Sequence, residues 1–210
     1  MRELAARPVF DRPAAPAYQP YEIIRRAFTR RQCERIVAYG AALDHSEATL
    51  EGEDELGVAD GSIRRSQIAW MPPSEDTWWI YDKLAVIAER ANRRHGFDLT
   101  GFEEDVQFTT YEGSGSFYSW HQDGLDGKVA NRKLSIVVQL SDPAAYTGAE
   151  LQLFEVAEDY EPDERAAFEL LSSEQGAAVV FPSFELHRVL PLRSGTRHSL
   201  VAWVSGPPFR

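Results

Sequence analysis

The chain has 210 residues, a length typical of one domain with a sizeable buried core. Its composition is 43% hydrophobic and 11% aromatic, which excludes a disordered chain, and its single cysteine, Cys33, excludes a disulfide framework. The net charge of −11 repels nucleic-acid phosphates, so we expect no nucleic-acid partner.

The sequence shows no pattern typical of a targeting or membrane-spanning segment. The first residues contain no apolar run typical of a secretory signal. No segment approaches the roughly 20 apolar residues that a membrane-spanning helix needs. We therefore expect a cytoplasmic protein with no membrane partner, and we leave open whether it is a monomer or a homodimer.

Two helices are predicted in the first half of the chain. The first follows Thr29, which has the spacing of a capping box with Gln32, and its apolar side contains Ile36, Val37 and Leu43. The second follows the proline pair in "PPSEDTWWIYDKLAVIAERANRRHG", with acidic residues in its first turn and a glycine at its end. Its buried face is predicted to contain Ile80, Leu84, Ile87 and Ala91.

The second half of the chain has the character of strands. Seven short runs are rich in β-branched and aromatic residues, namely "DVQFTTY", "SFYSWHQD", "KLSIVVQLSD", "AELQLFEV", "AAVVFPS", "LHRVLPL" and "RHSLVAWVSG". This order predicts an α+β fold with a jelly-roll core and N-terminal helices packed on one sheet. We predict an extended lead-in over 1–20 and one domain over 21–210, with a helical part over 21–100 and the jelly roll over 101–210.

The stretch "YSWHQDG" contains a histidine and a carboxylate two residues apart. On a strand, His121 and Asp123 project from the same face, where they form two candidate ligands for a divalent metal. His187, in the later strand "LHRVLPL", is a candidate third ligand. Two histidines and one carboxylate hold Fe(II) on one side and leave positions open. The alternative is that His187 is a buried strand histidine bonded to a backbone carbonyl.

The strand "RHSLVAWVSG" adds a cation ten residues after His187. Alternation places Arg197, Ser199, Val201 and Trp203 on one face. A buried arginine there needs an anionic partner, and its planar fork suits a carboxylate. With Ser199 beside it, Arg197 is a candidate receptor for the far end of a dicarboxylate, unless it is an exposed residue of an edge strand.

These segments resemble the 2-oxoglutarate- and Fe(II)-dependent oxygenases, in particular the prolyl-4-hydroxylase-like group of PKHD-type hydroxylases. "QFTTYEGSGSFYSWHQD" is similar to the strands that lead into the family's His-x-Asp. "KLSIVVQLSDPAAYTGAELQLF" is similar to its next strand and Tyr-x-Gly-Gly-Glu-Leu segment. "GAAVVFPSFELHRVLPLRSGTRHSLVAWV" is similar to its distal histidine and co-substrate arginine.

The resemblance implies a hydroxylase that uses Fe(II), 2-oxoglutarate and O2, with ascorbate as a candidate reductant. His121, Asp123 and His187 match the iron ligands, and Arg197 matches the residue that binds the distal carboxylate of 2-oxoglutarate. A third set matches the family's pocket aromatics: Tyr111 at the co-substrate, Tyr118 on the substrate side and Trp203 beneath the pocket. Each of these aromatics is alternatively a core residue. We interpret Cys33, His45, His95 and His198 as structural.

Three departures from the family pattern affect the interpretation. Gly148-Ala149 replaces the usual glycine pair, and either Ser135 or Gln139 is the candidate for a second co-substrate contact. An acidic insert over 155–174 is longer than usual in the family. Either it helps to cover the site, or it is a solvent-exposed loop without a role there.

The substrate is open at this stage. The group suggests a prolyl residue in a peptide or protein, with a free amino acid or other small metabolite as the alternative. The loop over 47–66 is a candidate cover, and Arg64 and Arg65 meet an anionic substrate or balance the acidic loop. Two other classes share the ligand set or the fold: a cupin-like zinc or manganese enzyme, and a non-catalytic jelly-roll binding module.

Overall fold

The computed structural model describes residues 18–47, 61–125, 127–154, 168–170 and 174–208. Within these ranges the helices are α1 (Arg30–Gly40) and α2 (Trp78–His95). The strands are β1 (Glu22–Ile24), β2 (Ser46–Glu47), β3 (Arg64–Arg65), β4 (Gln67–Met71), β5 (Val106–Glu112), β6 (Phe117–His121), β7 (Arg132–Gln139), β8 (Tyr146–Gly148), β9 (Leu151–Phe154), β10 (Phe168–Leu170), β11 (Ala178–Pro182), β12 (His187–Val189) and β13 (Leu192–Ser205).

The strands form two antiparallel sheets. The larger sheet has the order β1-β11-β7-β13-β5-β4-β2, and β8 also pairs with β13. The smaller sheet has the order β10-β9-β12-β6-β3. Neighbours in both sheets are distant in sequence, as in the crossing connections of a jelly roll. The predicted antiparallel β core with few helices is confirmed, and all seven predicted strands are present.

Helix α1 begins as the sequence predicts. The Gln32 backbone N–H donates to the Thr29 hydroxyl at 3.3 Å, and the Thr29 N–H donates to the Gln32 side chain at 2.9 Å. This reciprocal capping box satisfies two of the N–H groups that a helix start leaves unpaired. Ile36 is fully buried, and Val37 and Leu43 pack against the same core.

Helix α2 begins later than predicted. The acidic residues expected in its first turn lie before it, because the Thr77 hydroxyl closes a preceding turn by donating to the Pro72 carbonyl at 2.6 Å. The backbone follows that turn and becomes helical only at Trp78. The predicted face is buried, and Gly96 ends the helix with a φ of 69°. This left-handed conformation costs glycine little.

Two core clusters divide the interior. One joins both helices to the larger sheet and includes Ile36, Leu84, Phe108, Ile136 and Leu200. The other joins the two sheets and includes Tyr111, Val137, Leu153, Phe181 and Leu192. Alternate residues of one strand therefore enter different clusters, so one face of β13 packs toward the helices and the other lies between the sheets.

Parts of the chain not predicted as strands also join the sheets. The part over 21–100, predicted as helical, contributes β1 to β4, and β4 pairs with β5 over five residues. This pairing satisfies backbone groups that a buried loop would leave unpaired. In the insert over 155–174, residues 168–170 pair with β9, whereas 155–167 and 171–173 lie outside the described residues. No helix in the described ranges is long and apolar enough to cross a membrane.

The Leu84→Ala substitution tests the packing of α2 on the larger sheet. Leu84 is fully buried in the helix-side cluster. Its loss should lower the free energy of unfolding by about 2–5 kcal/mol in urea denaturation, because a cavity remains. Val86→Ala is the matched control on the same helix, since Val86 is 66% exposed. Equal effects of the two substitutions would contradict this packing.

Candidate active site

Two histidines and an aspartate meet where strands β6 and β12 pair. His121 ends β6, His187 begins β12, and the two residues are directly opposite each other in the antiparallel register. Asp123 follows β6 and extends its carboxylate between the two rings, with Oδ1 3.5 Å from His121 Nε2 and Oδ2 3.5 Å from His187 Nε2. All three ligand atoms lie within 4.8 Å of one another, so these residues fit a single metal ion.

Hydrogen bonds set the tautomer of both imidazoles. His121 Nδ1 lies 2.8 Å from the Ser119 carbonyl, and His187 Nδ1 lies 2.8 Å from the Glu185 carbonyl. Each Nδ1 therefore carries the proton and donates it, which leaves each Nε2 with a lone pair aimed at the carboxylate. A backbone partner for the second ring nitrogen is usual for metal-ligating histidines. The carbonyl expected for a purely structural His187 is present, but it occupies only Nδ1.

The charges of His187 and Asp123 at neutral pH suit a divalent cation. The pKa of His187 is lowered to about 4, chiefly by burial and also by the nearby His121, although Asp123 and the Glu185 carbonyl oppose this change. Burial alone would raise the pKa of the Asp123 carboxyl, but His187, His121 and the Ser135 hydroxyl together hold it below its usual range. The site therefore contains a neutral His187 imidazole and an ionised Asp123 carboxylate, the protonation states that metal binding requires.

Ser135 supports the carboxylate. Its hydroxyl donates to Asp123 Oδ2 at 2.7 Å and lies 3.0 Å from the Ser183 hydroxyl. The Asp123 N–H donates to the Ser183 carbonyl at 2.8 Å. Ser183 was not identified from the sequence, because its contact with Asp123 joins strands about sixty residues apart in the chain.

Arg132 is a second residue that the sequence did not single out. Its Nη1 donates to the Asp123 carbonyl at 3.0 Å, and Nε and Nη2 both donate to the Glu104 carboxylate. Its guanidinium carbon lies 4.0 Å from the centre of the Trp203 ring. Arg132 therefore connects the turn after β6 to the larger sheet.

Arg197 is the largest fully buried side chain among the described residues. Nη2 donates to Gln139 Oε1 at 2.7 Å, and the guanidinium carbon lies 5.3 Å from the Tyr111 ring centre. Among the described residues, Arg197 Nη1 and Gln139 Nε2 have no hydrogen-bond partner, and no carboxylate pairs with Arg197. An uncompensated buried cation is costly, so these two donors fit an anionic group within the pocket.

The three candidate metal ligands, Arg132 and Arg197 line one pocket of about 400 Å³, to which both sheets contribute. The predicted alternation of β13 is present, since one face enters the pocket while Leu200 and Ala202 enter the helix-side core. The pocket contains the three candidate metal ligands and the other residues singled out from the sequence: Arg64, Tyr111, Tyr118, Arg197, Ser199 and Trp203.

Tyr118 and Trp203 form the aromatic walls of this pocket. The Tyr118 ring stacks on the His121 ring with centres 3.4 Å apart, and burial raises the pKa of Tyr118 to about 12. Its phenol is therefore neutral. Trp203 lies 6.3 Å from Trp70 between ring centres, belongs to neither core cluster, and leaves its buried Nε1–H without a partner among the described residues.

The remaining histidines lie outside the metal-ligand set. His45 Nε2 lies 3.0 Å from the Gly40 carbonyl, and His198 pairs with Thr110 on the helix side of β13. Within the described ranges, only His121, Asp123 and His187 form a group of three side chains able to hold a metal. Residues 48–60, most of the candidate cover over 47–66, lie outside those ranges.

Comparisons with known proteins agree with this geometry. A profile described as the 2OG-Fe(II) oxygenase superfamily matches residues 106–205. A PKHD-type hydroxylase of Hyphomonas neptunium is 35% identical over 162 residues, covering 73% of this chain. The matched region spans 66% of that relative, just under two thirds of its length.

Two solved structures share the fold. A prolyl-4-hydroxylase of Pseudomonas putida has a TM-score of 0.68 at 23% identity, covering 91% of this chain and 95% of its own. A prolyl hydroxylase of Trichoplax adhaerens, in complex with a hypoxia inducible factor oxygen degradation domain peptide fragment, has a TM-score of 0.68 at 19% identity, covering 89% and 83%. The motifs, the site, the profile match and the PKHD-type hydroxylase relative together show that the chain belongs to the 2OG-Fe(II) oxygenase superfamily, in its prolyl-4-hydroxylase-like group of PKHD-type hydroxylases.

Proposed function

We propose that this chain is a dioxygenase that hydroxylates an unactivated C–H bond of a prolyl residue in a peptide or protein. It would use Fe(II), 2-oxoglutarate and O2, with ascorbate as an external reductant. The observation that carries this proposal is the buried Arg197, which has no anionic partner among the described residues and lines the same pocket as the metal-ligand set.

His121, Asp123 and His187 would hold the iron from one side and leave up to three positions open. With iron bound, 2-oxoglutarate is oxidised to succinate and CO2 by O2, and one oxygen atom enters the substrate C–H bond. The protein residues fix the ligand geometry: the backbone carbonyls of Ser119 and Glu185 orient the imidazoles, and Ser135 orients the carboxylate.

Arg197 and Gln139 would bind the distal carboxylate of 2-oxoglutarate. The guanidinium Nη1 and the amide Nε2 are donors without partners in the described structure, and Gln139 already accepts from Arg197. This favours Gln139 over Ser135 as the second co-substrate contact, because Ser135 donates to Asp123. Tyr111 and Ser199 line the same part of the pocket and would complete it.

The substrate would lie against Tyr118 and Trp203. Trp203 and the edge of the Tyr118 ring offer apolar surface for a pyrrolidine ring, and the Trp203 Nε1–H is a free donor within the described structure. A peptide substrate is supported by the prolyl hydroxylase relatives, one of which is solved with a peptide. A free amino acid or another small metabolite is the alternative.

Succinate release tests the proposed function. Purified protein with Fe(II), ascorbate and 2-oxoglutarate should release succinate slowly without a prime substrate, and a proline-containing peptide should gain one oxygen atom by mass spectrometry. A cupin-like zinc or manganese enzyme would need no cation at Arg197, and a binding module would release no succinate. The protein is loaded with Fe(II) anaerobically and O2 is then admitted. If no succinate forms, the proposed function is wrong.

Asp123→Ala should abolish Fe(II) binding, measured anaerobically by isothermal titration calorimetry. This carboxylate is the anionic member of the candidate metal-ligand set, and its loss leaves only the two imidazoles. Asp98→Ala is the matched control, because Asp98 is exposed and remote from the pocket lining. Full metal retention by Asp123→Ala would contradict the ligand assignment.

Ser135→Ala should weaken Fe(II) affinity by about 10- to 100-fold while keeping the three ligands, because a supporting hydrogen bond to a ligand is lost. The same calorimetric titration measures this effect. Ser194→Ala, an exposed serine of β13, should bind Fe(II) as the wild type does. Unchanged affinity in Ser135→Ala would show that the hydroxyl does not orient Asp123.

Arg197→Ala should raise the KM for 2-oxoglutarate by about 10- to 100-fold, the value of a hydrogen bond to a charged group. KM and kcat are both measured from succinate release. A raised KM with little change in kcat indicates weaker 2-oxoglutarate binding, whereas misfolded protein would lower kcat. Arg197→Lys should recover part of the affinity, because the charge returns without the planar fork. Arg193→Ala is the exposed control on β13, and normal uncoupled turnover in Arg197→Ala would contradict the assignment.

A further inference from the structure

We propose that Arg64 binds a carboxylate of the prime substrate next to the carbon that is oxidised. The inference rests on the proposed function and narrows its substrate class to acidic molecules. Arg64 lines the pocket at the edge strand β3, on the side where the substrate would enter.

The position of Arg64 is fixed by three contacts. Its backbone pairs with that of Tyr118 in the register of β3 and β6. Its guanidinium carbon lies 4.4 Å from the centre of the Tyr118 ring, and its Nε donates to the Ser66 hydroxyl at 2.8 Å. A guanidinium stacked on an aromatic ring and held at Nε loses little further side-chain entropy when it binds a ligand.

The outer edge of this guanidinium is unused within the described structure. The two terminal nitrogens of Arg64 donate to no described group, and no described carboxylate lies within ion-pair distance. Two parallel N–H donors match the two oxygens of a carboxylate, which an arginine binds in bidentate fashion. The arrangement is therefore a preformed receptor for a planar anion.

The other charged groups of the pocket have partners or assigned ligands. Arg132 is paired with Glu104, and Arg197 and Asp123 are assigned to the co-substrate and the metal. Glu47 also lines the pocket, on β2, but its side chain is exposed, so water screens its charge. Once the metal and 2-oxoglutarate are bound, Arg64 is the uncompensated cation of the described pocket.

The stacking order sets how far the bound anion lies from the reaction. Only the Tyr118 ring intervenes between the guanidinium and the metal-ligand imidazole of His121, whose ring centre is 3.4 Å from that of Tyr118. A carboxylate on Arg64 would therefore lie close enough to the metal ligands to belong to the same substrate as a carbon held at the metal. Two sources have this chemistry: an acidic residue adjacent to a peptidyl proline, or the α-carboxylate of a free amino acid.

Three matched probe pairs distinguish these sources. The first is acetyl-Ala-Pro-Asp-Ala-amide against its Asn counterpart, the second is acetyl-Ala-Asp-Pro-Ala-amide against its Asn counterpart, and the third is L-proline against L-prolinamide. Oxygen incorporation is followed by mass spectrometry. Binding without turnover is followed by the quenching of tryptophan fluorescence, since Trp70 and Trp203 line the pocket.

The wild type should prefer the carboxylate member of at least one pair by about 10- to 100-fold, the range for a hydrogen-bonded charge. In Arg64→Gln this ratio should fall to about one, whereas unfolding would abolish the use of both members. Arg64→Lys should keep a reduced preference. Arg65→Gln removes the same charge from the neighbouring exposed side chain and should keep the full ratio.

Two outcomes overturn the inference: no carboxylate preference in any pair, in turnover or in binding, or a preference that persists in Arg64→Gln. Failure of the proposed function is distinguishable from both. It would appear as a wild type that releases no succinate with any probe, and the fluorescence titrations would still report whether Arg64 selects the carboxylate.

Discussion

The backbone pairing of β6 with β12 is the constraint on which the site depends. It sets His121 opposite His187, with ring centres 4.0 Å apart, although the two residues are far apart in the chain. Since alternate side chains of a strand point to opposite faces, a slip of one residue would remove one imidazole from the pocket. Asp123 lies just past the end of β6, where the backbone turns and its carboxylate can reach both rings.

The two sheets divide the chemistry of the pocket between them. The smaller sheet and its connections position the metal ligands and Tyr118, whereas β5, β7 and β13 of the larger sheet position Tyr111, Gln139 and Arg197. One core cluster packs the helices on the larger sheet and the other packs the two sheets together, so the helices stabilise the larger sheet without lining the pocket. Substitutions in the helix-side cluster would therefore disturb the position of Arg197, on the larger sheet, before they disturb the candidate metal ligands.

Polar groups left unsatisfied in a folded interior mark where stability has been given up for function. Here Arg197 Nη1, Gln139 Nε2 and Trp203 Nε1 are buried donors without partners in the described structure. Arg197 and Trp203 line one pocket, and Gln139 is hydrogen-bonded to Arg197. We propose that Arg197 and Gln139 bind the co-substrate and that Trp203 lies beside the substrate. Under the proposed function, Arg64 would select the substrate. Its guanidinium stacks on Tyr118, and its two terminal nitrogens have no partner among the described residues.

Local patterns in the sequence determined much of this protein. The capping box at Thr29 and the alternation from Arg197 to Trp203 follow from neighbours a few residues apart. The sequence also singled out the His121–Asp123 pair, but the predicted strand face was wrong, because β6 ends at His121 and Asp123 reaches it from the following turn. Only the tertiary structure decided which polar side chain contacts Asp123 and which one contacts Arg197. Ser135 contacts Asp123 and Gln139 contacts Arg197, because each contact crosses between strands that are distant in sequence. The start of α2 was likewise decided by contacts, since the Thr77 hydroxyl closes a turn that helix periodicity does not reveal.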